Sequence, residues 1–364
     1  MITLGNCVEM GVAAVAGLNM NFISEMKKNS IVLLLLLLLS VSCNRNRYSL
    51  VDLSRSATLD LSDVFIEFDD KYPVGIRLKD SIAFLIEIKA NTCLLAIDLK
   101  HKELIKSFGN YGRGPNELLN PEFITSLDRN NIFLEDNNSL KIARIEADLD
   151  ESLFKVLDSG KFPEAIAISS EVNFSQNYII GRSIGKSEES FFFIFNKNTN
   201  TRKDVYHKPF FTEDLVDPNF TYASSIALNE NKNRIIVGMY FFDLFFVYDL
   251  NGEIIHSFCF SENFKPQIND KLLNFQESYS GIISVFPTEN YCYLMRITTI
   301  PELSTHKRML IQVDWEGNLI NSYTINENME RQFYIDEAKK TMFAIVNYTK
   351  EDQDLFGLVS YKLK

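Results

Sequence analysis

One pattern recurs three times in this chain and narrows what it can fold into. Ile97-Asp98-Leu99 leads to Glu103-Leu104-Ile105-Lys106-Ser107-Phe108. Tyr248-Asp249-Leu250-Asn251-Gly252-Glu253-Ile254-Ile255-His256-Ser257-Phe258 repeats it, and Val313-Asp314-Trp315-Glu316-Gly317-Asn318-Leu319-Ile320-Asn321-Ser322-Tyr323 repeats it again. Each copy is an apolar run, an aspartate, a short turn and a second run, which is the pattern of a β-hairpin. Asn251-Gly252 predicts a type I′ turn, and Glu316-Gly317 can serve similarly. From Leu59 onward no stretch of convincing length has the helical period; short apolar runs bounded by Asn, Asp, Gly and Lys recur instead. Units of about 50 residues built this way predict a ring of repeated four-stranded sheets, an all-β fold.

The first hairpin runs into Phe108-Gly109-Asn110-Tyr111-Gly112-Arg113-Gly114-Pro115-Asn116-Glu117. The glycines permit positive φ, while Pro115 fixes φ and removes a donor, so the segment is a shaped loop. A phosphate cradle needs such glycines to open directly into a helix. Here Pro115 follows, and Phe123 to Leu127 reads as a strand. The segment is therefore read as a rigid connector between blades.

Together with Pro121, Ile124, Leu127-Asp128, Asn131-Ile132-Phe133-Leu134 and Asn138-x-Leu140-x-Ile142, these residues resemble an NHL-type propeller repeat. The chain is similar in more detail to TolB-like six-bladed β-propeller lipoproteins of Gram-negative gut bacteria, whose blades carry a G-x-G-x-G-P-x-E seam. The strong motif covers about one blade and weaker echoes cover most of the chain. Asp136 matches the aspartate that usually follows the second strand of an NHL repeat. The resemblance implies a fold; most members have no assigned activity.

Blade one is expected from Val74 to Phe108, blade two from Phe123 to Leu157, blade three from Ile166 to Tyr206 and blade four from Tyr222 to Phe260. Blade five spans Tyr279 to Ile325, after a connector around Phe264 to Gln276 that is read as holding a helical turn. The C-terminus supplies only Arg331–Ile335, Thr341–Asn347 and Leu355–Lys362; Asp63–Phe68 from the other end is the missing strand. Joining the two termini in one sheet closes the ring and removes free edges.

The other end of the chain carries an address. Met26-Lys27-Lys28-Asn29-Ser30, the apolar run Ile31 to Leu39, and Ser40-Val41-Ser42-Cys43 form a signal peptide whose cleavage-point cysteine resembles a lipobox. Residues 1–25 read as an upstream start-codon extension, 26–42 as the signal, 43–58 as a tether and 59–364 as the propeller. Acyl chains on Cys43 would hold the protein on the membrane. Asn44-Arg45-Asn46-Arg47 lacks the acidic residues of surface-exported lipoproteins, which favours the periplasmic side of the outer membrane. The net charge of −11 speaks against nucleic acid as a partner. Cys93, Cys259 and Cys292 lack metal-ligand spacing and are expected as buried strand residues, with a Cys259–Cys292 bridge left open.

In a propeller, the blade-to-blade seams and the loops from second to third strand open on one face. The second-strand ends there carry Glu135-Asp136, Arg182, Tyr240, Arg296 and Tyr348, beside polar loops at Ser183–Ser190 and Ile297–Lys307. The candidate ligand-binding residues are Arg113, Glu117, Asp136, Arg182, Tyr240 and Arg296. Two readings of the arginines stand: they grip an anionic or hydroxylated ligand, or each pairs locally, as Arg113 with Glu117. Tyr240 and Phe242 are candidates to stack on a sugar. No catalytic constellation is found: His101, His207, His256 and His306 fall in different blades, and no G-x-S-x-G elbow occurs. No cofactor is implied. The expected function is a membrane-anchored binding or scaffolding module for a protein, peptide or glycan. The alternative is a calcium-type hydrolase or lyase of the six-bladed lactonase kind, for which Asp136 and Asn137 are the nominated neighbours. A purely structural envelope component is the third.

Overall fold

Strands that are apolar on consecutive residues need cover on both faces. The computed structural model supplies it by standing small sheets side by side. It describes residues 48–148, 153–166, 169–183, 190–207, 218–262, 268–269, 272–273, 279–300, 305–350 and 353–364. The leader and Cys43 lie outside these. Ile82–Glu87 and Leu244–Tyr248 are buried at every residue because each is an inner or middle strand between neighbouring blades.

Six antiparallel sheets follow one another along the chain. Blade one comprises Pro73–Lys79, Ile82–Glu87, Thr92–Asp98 and Glu103–Tyr111. Blade two comprises Pro121–Phe123, Ile132–Asp136, Lys141–Asp148 and Leu153–Lys161. Blade three is Ser169–Phe174, Tyr178–Ser183, Phe192–Asn196 and Thr201–Val205. Blade four is Ser224–Asn229, Arg234–Met239, Leu244–Tyr248 and Ile254–Cys259. Blade five is Tyr279–Pro287, Tyr291–Ile300, Thr305–Asp314 and Leu319–Ile325. The first-named, innermost strands touch their successors, blade six against blade one included, except that Thr125–Ser126 makes the contact between blades two and three.

Blade six is the composite expected from the sequence. Asn328–Asp336, Thr341–Lys350 and Gln353–Lys362 are completed by Leu61–Phe68, with Val64 opposite Val359 and Ile66 opposite Leu358. Leu358, Val359 and Tyr361 are buried beneath this closure, in a cluster that runs on into blades five and one.

The three repeated hairpins form, and their shared aspartate explains the repeat. The Asp98 carboxylate accepts the N–H groups of Lys100 and His101, that of Asp249 those of Asn251 and Glu253, and that of Asp314 those of Glu316 and Asn318. The type I′ expectation is corrected. Gly252 and Gly317 donate to the Asp249 and Asp314 carbonyls (2.9 and 3.0 Å), so the positive-φ glycine is the fourth residue of the turn. A register shift one residue into the strand accompanies each, as a bulged hairpin requires.

Four further expectations shift. The strand read at Phe123 to Leu127 ends at Phe123, and Thr125–Ser126 crosses to pair in parallel with Ser169–Phe174 of blade three. In the connector read as holding a helical turn, the described residues pair Ile268–Asn269 with Leu272–Leu273, and the rest of it lies outside the described residues. The Ile297–Lys307 loop is largely hairpin, since the ladder of blade five continues to Ile300 opposite Thr305. The expected tether is a strap: Val51 donates to the Cys259 carbonyl of blade four (2.8 Å), and Ala57–Thr58 pairs in parallel with the outer strand of blade five. Val51 and Leu59 bury their side chains there, and unpaired outer edges are what they cover. The three cysteines are buried free thiols, with no Cys259–Cys292 bridge.

Removing residues 1–68 bares the Gln353–Lys362 edge and is expected to yield a self-associating chain by size-exclusion chromatography. Leu358→Ala in the intact chain should cost about 2–5 kcal/mol in denaturant unfolding. A monomeric truncated protein with an unchanged unfolding midpoint would contradict the closure.

Candidate functional site

The glycine-rich seam turns out to be held by its own neighbours. A side chain at Gly112 would collide with the Glu117 carboxylate, which accepts the Gly114 N–H (2.7 Å). Lys141, buried on the adjacent strand, donates to the carbonyls of Gly114 (2.8 Å), Pro115 (2.9 Å) and Glu117 (2.9 Å). Asp136 is completely buried and accepts the N–H groups of Leu119, Asn120 and Asn138 and the Ser139 hydroxyl. Glu117 and Asp136, two of the expected ligand-binding residues, are thus committed to the loop. Arg113 lies exposed beside them and does not pair with Glu117, correcting the local ion pair expected there.

Arg296 is likewise spoken for. It grips Asp243, which is only 2 % exposed, through two hydrogen bonds of 2.7 and 2.8 Å and so ties blade five to blade four. The nominated calcium neighbours separate as well, because every oxygen of Asp136 is occupied by loop donors. Among the described residues no three His, Cys, Asp or Glu side chains gather as a ligand set. Phe242 is fully buried and cannot stack on a sugar. Phe220, 49 % exposed, stands against Phe241 (4.9 Å), which in turn meets the Tyr240 ring. The loop at 184–189 and the Tyr348 side chain lie outside what is described.

What does converge is a set of side chains at the seam-side ends of the innermost strands. Register shifts interrupt these strands between Ser170 and Asn173 in blade three, Ile282 and Ser284 in blade five, and Met329 and Phe333 in blade six. Such bulges re-aim the residues they contain. Glu171 in the first takes φ +54°, a left-handed backbone that a residue with a side chain adopts only when its surroundings hold it. Arg331 in the third reaches across the channel from blade six to blade three. Its guanidinium donates to Glu171, to the Tyr240 hydroxyl of blade four and to the Ile283 carbonyl (2.9 Å) within the remaining bulge. Tyr240 donates to the same Glu171 carboxylate (2.5 Å), whose other oxygen accepts from Ser225 (3.1 Å). Gly281 makes the approach of blades four and five feasible, since a Cβ there would collide with the Tyr240 carbonyl. Glu122 and Glu135, directly opposite on the first two strands of blade two, complete the group. Arg77, on the innermost strand of blade one, sets its guanidinium between the rings of Phe123 (5.4 Å) and Phe286 (5.7 Å).

Six blades are also what the comparison with known sequences finds. The family described as TolB-like 6-blade propeller-like matches residues 52–338. The chain belongs to this family. No curated protein matches it. Among solved structures, the TolB-like chain is similar to a member of the duf4221 family from Bacteroides vulgatus, with a TM-score of 0.51 and 13% identity over 85% of this chain and 100% of that one. It is also similar to TolB from Acinetobacter baumannii, with a TM-score of 0.37 and 10% identity over 79% of this chain and 63% of that one. At 13% identity the first likeness speaks for the fold alone.

Of the expected residues, Tyr240 joins this group through its bond to Glu171, and Arg182 is near enough to act on the Tyr240 phenol. Glu122, Glu135, Glu171 and Arg331 were missed. Glu135 is the immediate neighbour of nominated Asp136, and along a strand one residue is the difference between opposite faces. Burial, then the nearby Glu122, push the Glu135 carboxyl up to about 8. Burial and then Glu122 raise the Tyr240 phenol, against the pull of Arg182. Burial lowers Arg331, with Glu122 and Glu135 opposing it. Arg331 is hemmed in by protein yet keeps 43 % of its side-chain surface, as a group lining a solvated channel does.

A carboxyl that is higher in the folded protein keeps its proton where the unfolded chain has released it. The stability contributed by Glu135 is therefore whole below its ordinary value of 4.5 and declines as pH rises to about 8. Chemical denaturation of the wild-type protein should show that decline, and Glu135→Gln should flatten it. A slope unchanged by the substitution would place the titration elsewhere.

Proposed function

We propose that this chain is a ligand-binding propeller held at the cell envelope through Cys43, and that its ligand, a protein segment, peptide or glycan, enters the seam-side mouth of the channel. The supporting observation is the meeting of Arg331, Glu171, Tyr240 and Ser225 from three blades at one point that keeps contact with solvent. The bulges turn these side chains out of the ladder and toward one another. Such an arrangement is suited to recognition: fixed guanidinium and carboxylate groups present donors and acceptors to a polar ligand, and the exposed Phe220 ring flanks them. The signal peptide and the cysteine at its cleavage point support the anchoring, as the chain reads in sequence.

The arginines separate this reading from local ion pairing. Arg182→Ala and Arg331→Ala are expected to lower capture of peptides or glycans on arrays, and of envelope components from the native membrane, by about tenfold or more. Arg296→Ala leaves the Asp243 carboxylate buried and unpaired, so it should cost about 3–5 kcal/mol of stability while its folded fraction binds normally. Unaltered capture by both Arg182 and Arg331 variants would overturn the assignment of the mouth.

A further inference from the structure

Deep in the same mouth there are acceptors without donors. Glu122 and Glu135 face each other across the ladder, so their Cβ atoms stand about 5 Å apart. Glu135 is 2 % exposed; one of its oxygens has no hydrogen-bond partner, and neither has Oδ1 of the adjoining Asn137. The groups that act on Glu135 are Glu122 beside it, the Val172 N–H of blade three, the Asn137 amide and Arg331 from blade six. A buried acceptor left unpaired is costly, and here the oxygens adjoin a channel that solvent reaches.

Charge balance indicates what they lack. Two charged side chains act on Glu135: Glu122, which stands directly opposite, and the weaker Arg331. Burial and that like charge together favour the protonated form of the Glu135 carboxyl. A ligand bearing one positive charge and several donors could take the place of that proton and supply the unpartnered Glu135 oxygen with a donor. Building on the reading of the mouth as a binding site, we propose that the Glu122–Glu135 pair is a subsite for a primary ammonium group, as on an amino sugar or a lysine side chain. The ammonium N–H groups donate to both carboxylates and to Asn137, the Glu135 proton passes to solvent, and the protein ends with one cation more and one proton fewer. Asn137 fits the role because its amide already adjoins Glu135, while the neighbouring Asp136 is turned to the seam. The site is selective by construction. A neutral isostere cannot balance an ionised Glu135, and a carboxylate ligand meets like charge.

The full-length protein titrated calorimetrically at pH 7 tests this. Glucosamine and Nα-acetyl-lysine methylamide are the ammonium probes; N-acetylglucosamine and Nα-acetyl-norleucine methylamide are their neutral counterparts. At least one ammonium probe is expected to bind about tenfold or more tightly than its counterpart. Repeating the titration in buffers of different ionisation enthalpy should show release of close to one proton for each probe bound. Which ammonium probe binds tells amino sugar from lysine. Glu135→Gln should remove both the preference and the proton release, and Glu122→Gln should weaken the preference; the second variant serves if the first does not fold. Equal binding of charged and neutral probes, no proton release, or variants indistinguishable from wild type would overturn the subsite. If no probe binds while capture remains dependent on Arg182 and Arg331, the subsite fails and the binding mouth stands. If arginine-dependent capture is also absent, both fall.

Discussion

The pairing of Leu61–Phe68 with Gln353–Lys362 is the interaction on which everything else in this protein depends. A sheet unit with three strands would leave its outermost edge bare, and a row of blades without it would be an open arc. With it, blade six touches blade one, and the innermost strands of all six blades face a common axis. Only then can a side chain of blade six reach blade three. The strap from Val51 to Leu59 extends the same device, pairing the outer edges of blades four and five before the chain enters blade six.

Within that frame, polar groups divide by the job their surroundings give them. Asp136, Glu117 and Lys141 satisfy backbone groups of a glycine-rich connector whose own ladder is only the short parallel pairing of Asn110-Tyr111 with Glu117-Leu118. Asp243 and Arg296 neutralise one another between blades. A buried charge with a complete set of partners has no valence left for a ligand. The channel residues differ in holding fewer partners than they have polar atoms, in the unpaired oxygen of Glu135 and in the open surface of Arg331. Incomplete satisfaction at a solvent-accessible point sets the channel residues apart from these structural networks.

Much of the fold was legible because its rules are local. The aspartate-turn hairpins, the blade limits and the split sixth blade all follow from apolar runs and turn residues, and the burial of Cys93, Cys259 and Cys292 follows from their place in such runs. The candidate site was legible only for Arg182 and Tyr240, whose positions at second-strand ends follow from the blade register. Glu171 and Arg331 owe their aim to bulges, and nothing in Ser170-Glu171-Val172 or Glu330-Arg331-Gln332 marks a residue that departs from the ladder. Asp136 was preferred to Glu135 because it matches a repeat consensus, and a consensus residue in a repeat is more readily one that builds the repeat. The Thr125–Ser126 crossover and the strap were hidden for a related reason: short parallel pairings bring together segments whose sequences carry no mutual signal.

Arg331 and Glu171 are 160 residues apart, on opposite blades, and they touch only if the ring is closed with both bulges formed. A double-mutant cycle on Arg331→Ala and Glu171→Ala, read by denaturant unfolding, measures that contact directly. The closed ring predicts a coupling energy of about 0.5–3 kcal/mol between the two sites. Strictly additive effects would mean that blades three and six do not meet across the channel.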